Sequence, residues 1–190
     1  MIPIIHRVNK LNDLKQVNNN FGLEIDVRHN NDELVLDHGI KNDSDKFLDF
    51  IKLYKHKLLV VNVKESGIED EVIKQLINNK INNFFLLDVE FPYILNNFQK
   101  YGQYLSLRFS AYESIESVKH FIDKVNWLWV DTYSDLDLTN KKAEIIKNFK
   151  ICLVSPSRWG APENLENILN NFKKFEIEIE GLLVKNEKEF

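Results

Sequence analysis

Two histidines and a pair of carboxylates near the start of the chain are the residue types that acid–base and metal-assisted chemistry need. Glu24 and Asp26 stand two apart in Gly22-Leu23-Glu24-Ile25-Asp26-Val27. Residues two apart on a strand project to the same side, so both carboxylates aim one way. Such a pair suits a hard divalent cation, Mg²⁺ or Ca²⁺. Taken alone, a Glu-x-Asp serves as readily in a salt bridge. Asn62 adds a neutral carbonyl oxygen, and Lys64, again two residues on, adds a point charge for a phosphate oxygen. His6 and His38 each follow an extended run, and histidine gives and takes protons near neutral pH. Either one by itself reads more readily as a structural histidine. His29, His56 and His120 have polar neighbours and read as solvated.

These residues need elements to hold them. Short apolar runs recur along the chain, from Ile2-Pro3-Ile4-Ile5 through Leu58-Leu59-Val60-Val61 and Phe84-Phe85-Leu86-Leu87 to Gly181-Leu182-Leu183-Val184. They are apolar on both faces, the pattern of buried parallel strands. Between them lie segments with helical spacing, over 45–54, 69–79, 113–125, 140–149 and 163–175. Pro92 and Pro162 mark helix openings. An extra extended piece, Leu34-Val35-Leu36, falls between the second and third strands. About eight strand–helix units at close spacing predict a compact (β/α)8 barrel. The runner-up, a doubly wound open sheet, lacks a Gly-rich phosphate loop after the first strand.

Each strand candidate ends in a polar group: His6, Glu24 with Asp26, Asn62 with Lys64, Asp88, Arg108, Asp131, Ser155 and Lys185. In a β/α barrel these ends form one rim, where active sites are built. Arg108 and Lys185 are therefore expected to face the same mouth and help hold an anionic substrate. The competing reading pairs each with Asp88 or Asp131 as a structural ion pair. A self-satisfied polar layer at the mouth is the bland account of the whole set. Trp159, after the seventh strand, offers a ring for stacking on a sugar or base, with ordinary packing as the alternative.

The 190 residues suit one domain over 1–190, with a net charge of −4 and no long basic run, so nothing argues for nucleic-acid binding. Cys152, the only cysteine, sits in an apolar run and reads as a small core residue; a reducing, cytoplasmic setting is the default. No window is long and apolar enough to span a bilayer, and the N-terminal stretch is too short for a secretory leader.

The stretches Ile4-Ile5-His6-Arg7, Gly22-Leu23-Glu24-Ile25-Asp26-Val27-Arg28 and Asp32-Glu33-Leu34-Val35-Leu36-Asp37-His38 together resemble the opening of the glycerophosphodiester phosphodiesterase family. That family is related to phosphatidylinositol-specific phospholipase C and to sphingomyelinase D. The resemblance is strong over residues 2–39, and the barrel rhythm extends it. It implies a phospholipase C-like barrel that cleaves a phosphodiester with the help of a divalent metal; the short barrel, with no insertion after the second His, suits a small or polymer-borne headgroup. His6 and His38 would be the general acid–base pair. Glu24 and Asp26 would ligate the divalent ion, Lys64 would contact the phosphate, and Arg7 matches the arginine of the family's His-Arg pair. Three departures stand out. Val8 replaces the usual glycine, the downstream Glu-Asn is not evident in 9–12, and Asn62 stands where a third acidic ligand is usual. The alternatives are a lyase of the same fold that releases a cyclic phosphate, or a barrel that binds without catalysis.

Overall fold

The structure, a computed structural model, describes residues 1–39 and 43–189. The chain opens with β1 (Ile2–Ile5), a single helical turn α1 (Leu11–Leu14) and the long strand β2 (Gly22–Asn30). Two short strands follow, β3 (Glu33–Leu36) and β4 (Asp45–Lys46), and then helix α2 (Phe47–Leu53). From there strand and helix alternate: β5 (Leu59–Val63), α3 (Glu69–Asn78), β6 (Phe84–Leu87), α4 (Phe91–Tyr101), β7 (Ser106–Phe109) and α5 (Ile115–Lys119). The last units are β8 (Trp127–Val130), α6 (Asn140–Ile146), β9 (Lys150–Val154), α7 (Leu165–Lys174) and β10 (Ile179–Val184).

Eight of these strands form a parallel ring. β1 lies between β10 and β2; β2 pairs with β5 and β5 with β6; β7, β8, β9 and β10 pair in succession. The ring closes between β6 and β7 through the Leu86–Leu105 bridge. The chain is thus a (β/α)8 barrel, and the open doubly wound alternative is set aside because the first and last strands are hydrogen-bonded to each other. Among the described residues no helix is long and apolar enough to cross a membrane.

Alternation along the strands divides the side chains into two layers. Leu23, Ile25 and Val27 of β2 pack outward with Val72, Ile73 and Leu76 of α3 in the larger core. Ile4, Val60, Phe85, Trp127, Trp129, Cys152 and Leu183 point into the barrel. Phe85 stacks on Trp127 with centroids 4.4 Å apart, so aromatic rings fill the lower interior. Gly181 leaves room for Ile4, whose Cδ1 would lie 2.6 Å from an added Cβ. Continuing the inward parity toward the strands' C-terminal ends brings in His6, Glu24, Asp26, Asn62, Lys64, Arg108 and Asp131. The apolar plug below excludes water and forces these polar groups to find partners or face the mouth.

One departure from the regular barrel positions the site. β2 runs past the ring and pairs antiparallel with β3 over Val27–Leu36 to Asn30–Glu33. Asn31 and Asp32 turn the hairpin with φ of 48° and 61°, the left-handed values a tight primed turn needs and Asn and Asp tolerate. The return strand delivers Asp37, whose N–H bonds to the Asp26 carbonyl at 3.1 Å, and so sets His38 beside Asp26.

Candidate active site

At the end of β1 the backbone of Arg7 adopts φ 57°. A non-glycine residue in this region is held there by its surroundings at a cost of about 1–3 kcal/mol. The reason is visible in its neighbours. The turn points the Arg7 N–H at Glu24 Oε2, 2.7 Å away, and the Val8 N–H at the Glu24 carbonyl, 2.9 Å away. The next residue, Asn9, brackets Asp26. Its amide donates to Asp26 Oδ2 and its Oδ1 accepts from the Asp26 N–H, both at 2.8 Å. The segment after the first strand therefore clasps both carboxylates of the second.

The two carboxylates have different surroundings. Asp26 is fully buried, yet Lys64 Nζ lies 2.9 Å from its Oδ1 and His38 Nδ1 3.3 Å from the same oxygen. Burial is the largest single influence and acts upward; the combined bonds from Lys64, Asn9 and His38 outweigh it and hold the carboxyl below its usual range. Glu24 is also buried but has weaker support, a backbone N–H from Arg7 and the Asn62 amide at 3.3 Å. Burial first, and the Asp26 charge second, push it up to about 7.

The histidines also differ. His38 gives Nδ1 to Asp26 and meets Arg7 Nη2 at Nε2, 3.0 Å away. An arginine has only donors, so Nε2 accepts and the proton lies on Nδ1. Asp26 thus fixes both tautomer and ring orientation. His6 Nε2 lies 3.9 Å from Glu24 Oε2. Burial, followed by the charges of Arg158 and Arg7, lowers its pKa to about 3, so the free ring is neutral at physiological pH.

A cavity of about 180 Å³ opens at this end of the barrel, lined by His6, Arg7, Glu24, Asn62, Lys64 and Arg158 among others. His38 and Asp26 sit behind Arg7 and Lys64. Arg108 also lines the cavity, but it is ion-paired with Asp88, Asp131 and Glu113 and donates to Tyr133. Three carboxylates neutralise it, which realises the ion-pair reading of this residue. Lys185 follows β10 with an exposed side chain, and it is not among the residues that line the cavity. His56, read as solvated, is instead buried, with Nε2 3.1 Å from the Val17 carbonyl.

Sequence reasoning missed Arg158 and Asn9. Arg158 lies in a 3₁₀ turn after β9 (Pro156–Trp159), away from any strand end, and among the described residues its guanidinium has no ion-pair partner. Asn9 lies in a loop, and nothing local marks it. Only its place two residues after the His-Arg pair could have drawn notice.

A hard divalent cation takes oxygen ligands. Among the described residues no three His, Cys, Asp or Glu side chains are grouped to hold a metal. The mixed set of Glu24 and Asn62 nevertheless fits such an ion. Asn62 Oδ1 is buried and has no hydrogen-bond partner, and it belongs to the residue whose amide touches Glu24. An orphaned buried carbonyl beside a carboxylate with no full countercharge suits a cation. Asp26, the third expected ligand, has both oxygens engaged by Lys64, His38 and Asn9.

No family model and no curated protein matches the chain. Solved structures do. A glycerophosphoryl diester phosphodiesterase from Parabacteroides distasonis aligns with a TM-score of 0.52 and 10% identity over 99% of this chain and 84% of its own. The tryptophan synthase α subunit from Campylobacter jejuni aligns with a TM-score of 0.56 and 13% identity over 96% of this chain and 86% of its own. A mutant α subunit from Pyrococcus furiosus gives 0.56 and 12% over 96% and 85%. At these identities the likeness establishes the architecture that two unlike enzymes share: the chain has the fold of the (β/α)8 barrels.

Proposed function

We propose that the chain is a phosphodiesterase of the glycerophosphodiester type, working by acid–base catalysis between His6 and His38. The observation that carries this reading is the convergence at one barrel mouth of a neutral, half-buried histidine, a second histidine oriented by a carboxylate, and the cations Arg7, Lys64 and Arg158. The likeness to a glycerophosphoryl diester phosphodiesterase agrees with it.

The phosphodiester anion sits between Arg158, Arg7 and Lys64. Burial is the first cause of the low His6 pKa and the Arg158 and Arg7 charges the second; the anion offsets the arginine part, which favours the ring taking a proton from the attacking hydroxyl or water. When Arg7 turns from His38 to the phosphate, Nε2 is freed to carry a second proton; His38, its Nδ1–H still bonded to Asp26, then gives the Nε2 proton to the departing alkoxide. Lys64 and the arginines stabilise the charge that gathers on the phosphoryl oxygens. A divalent cation, held by Glu24 and Asn62 with Asp26 adjoining, would add Lewis-acid stabilisation of the same oxygens.

The test is hydrolysis of glycerophosphodiesters and of bis(4-nitrophenyl) phosphate with Mg²⁺, Ca²⁺ or Mn²⁺, followed by ³¹P NMR. Cleavage that is lost in both His6→Asn and His38→Asn supports the reading. Unchanged rates in either variant would overturn the paired roles. A cyclic phosphate that accumulates unhydrolysed would reassign the chain as a lyase of the same fold.

A further inference from the structure

A second cavity, of about 330 Å³, adjoins the first and shares two residues with it, Tyr133 and Trp159. Its volume is at the lower end for ligand sites, roughly 300–1,000 Å³. The two shared rings lie 4.2 Å apart between centroids and remain 41% and 42% exposed. The two adjacent rings offer an amphipathic aromatic surface on which a flat apolar face can pack.

The facing wall is a row of amides. Asn164, Asn167 and Asn171, at the start of α7 and along it, all line the cavity, and their spacing places them on one helical face. Their side chains are exposed, and none makes a hydrogen bond within the described residues. Each amide offers two donors and one acceptor of two lone pairs, which matches hydroxyls that both donate and accept. Phe172 and Ile168 contribute an apolar floor. Among the described residues Asp135 is the only charged side chain in the lining, so a second anionic group meets no cation among them.

We propose that this cavity binds a neutral sugar ring, carried by one of the alcohols of the phosphodiester. The inference rests on the proposed reading of the first cavity. With phosphate between Arg158 and Lys64, the alcohol extends past Trp159 and Tyr133, its C–H face on the rings and its hydroxyls toward the three asparagines. This gives substrate selection to a loop and a helix outside the catalytic layer, as is usual for β/α barrels.

Ligand-observed NMR on the full chain tests it without turnover, using methyl α-D-glucopyranoside, glycerol and tetramethylammonium as probes. The pyranoside is expected to receive saturation from aromatic protons. Its dissociation constant should rise about threefold to tenfold in Asn167→Ala and in Asn171→Ala, the usual effect of one lost hydrogen bond. Both positions are exposed, so an unchanged melting temperature in each variant certifies the fold. Absence of pyranoside binding overturns the proposal, as does binding that neither variant weakens. Binding of tetramethylammonium alone, abolished by Asp135→Asn, overturns it in favour of a cationic headgroup. A chain that binds the pyranoside but cleaves no phosphodiester would sink the catalytic reading and leave the sugar site standing. Cleavage of bis(4-nitrophenyl) phosphate without pyranoside binding would do the reverse.

Discussion

Glu24→Gln is expected to make the protein more stable at alkaline pH and indifferent to divalent metal. The Glu24 carboxyl is raised from 4.5 to about 7 by burial and then by Asp26, so the folded chain binds this proton more tightly than the unfolded chain does. The stability from that proton is fully present below the unfolded value and is lost as pH rises through the folded one. At about 1.36 kcal/mol per tenfold change in proton affinity, ionised Glu24 costs the fold roughly 3 kcal/mol near pH 8. Glutamine keeps the size and most of the hydrogen bonding without the charge. Urea denaturation of wild type and variant should therefore coincide near pH 4 and separate by roughly 3 kcal/mol near pH 8, with the variant the more stable. For a chain of this length that corresponds to roughly 6–12 °C in melting temperature. Millimolar Mg²⁺ or Ca²⁺ should close the gap by stabilising the wild type only, since a ligand that binds the folded state shifts unfolding by mass action. A difference between the two proteins that does not change with pH would refute the account of Glu24 as a buried, uncompensated carboxyl.

Three further predictions follow from the site and the core. Asn62→Asp adds one formal charge to the proposed cation site, so calorimetric titration should show tighter Mg²⁺ or Ca²⁺ binding; equal affinity would mean that Asn62 is not a ligand. Arg158→Met removes a cation without an ion-pair partner among the described residues, proposed to meet the phosphate, and should lower kcat/KM for a phosphodiester roughly 10- to 100-fold with the fold intact, whereas Arg108→Met strands Asp88 and Asp131 and should chiefly lose stability, on the order of a few kcal/mol. Phe85→Ala opens the barrel floor beneath the polar layer and should cost roughly 3–5 kcal/mol in urea denaturation; a loss under about 1 kcal/mol would mean that the Phe85–Trp127 stack is not a packed plug.

The barrel and its polar rim could be read from the chain because both rest on local rules. A strand buried on both faces must be apolar along its length, and the period of two fixes which side each residue takes. Runs such as Leu58–Val63, ending in Asn62 and Lys64, therefore announced both the strand and the inward direction of its polar end. Glu24, Asp26 and His6 were legible on the same grounds. Their partners were not, because partnership is a property of distance across the ring rather than of spacing along the chain. For Arg108 the sequence left substrate binding and pairing with Asp88 or Asp131 both open, and only the neighbouring ends of β6 and β8 show that these carboxylates hold it. Arg158 looked like a loop residue, yet it is the cation left without an acid among the described residues lining the cavity. His38 acquires its tautomer from Asp26, and it reaches Asp26 only because the β2–β3 hairpin folds back. Asn164, Asn167 and Asn171 show nothing in sequence beyond a polar helix face. The loop after β8 and the turn after β9 set Tyr133 and Trp159 opposite them, and the pairing of β8 with β9 holds those two loops together.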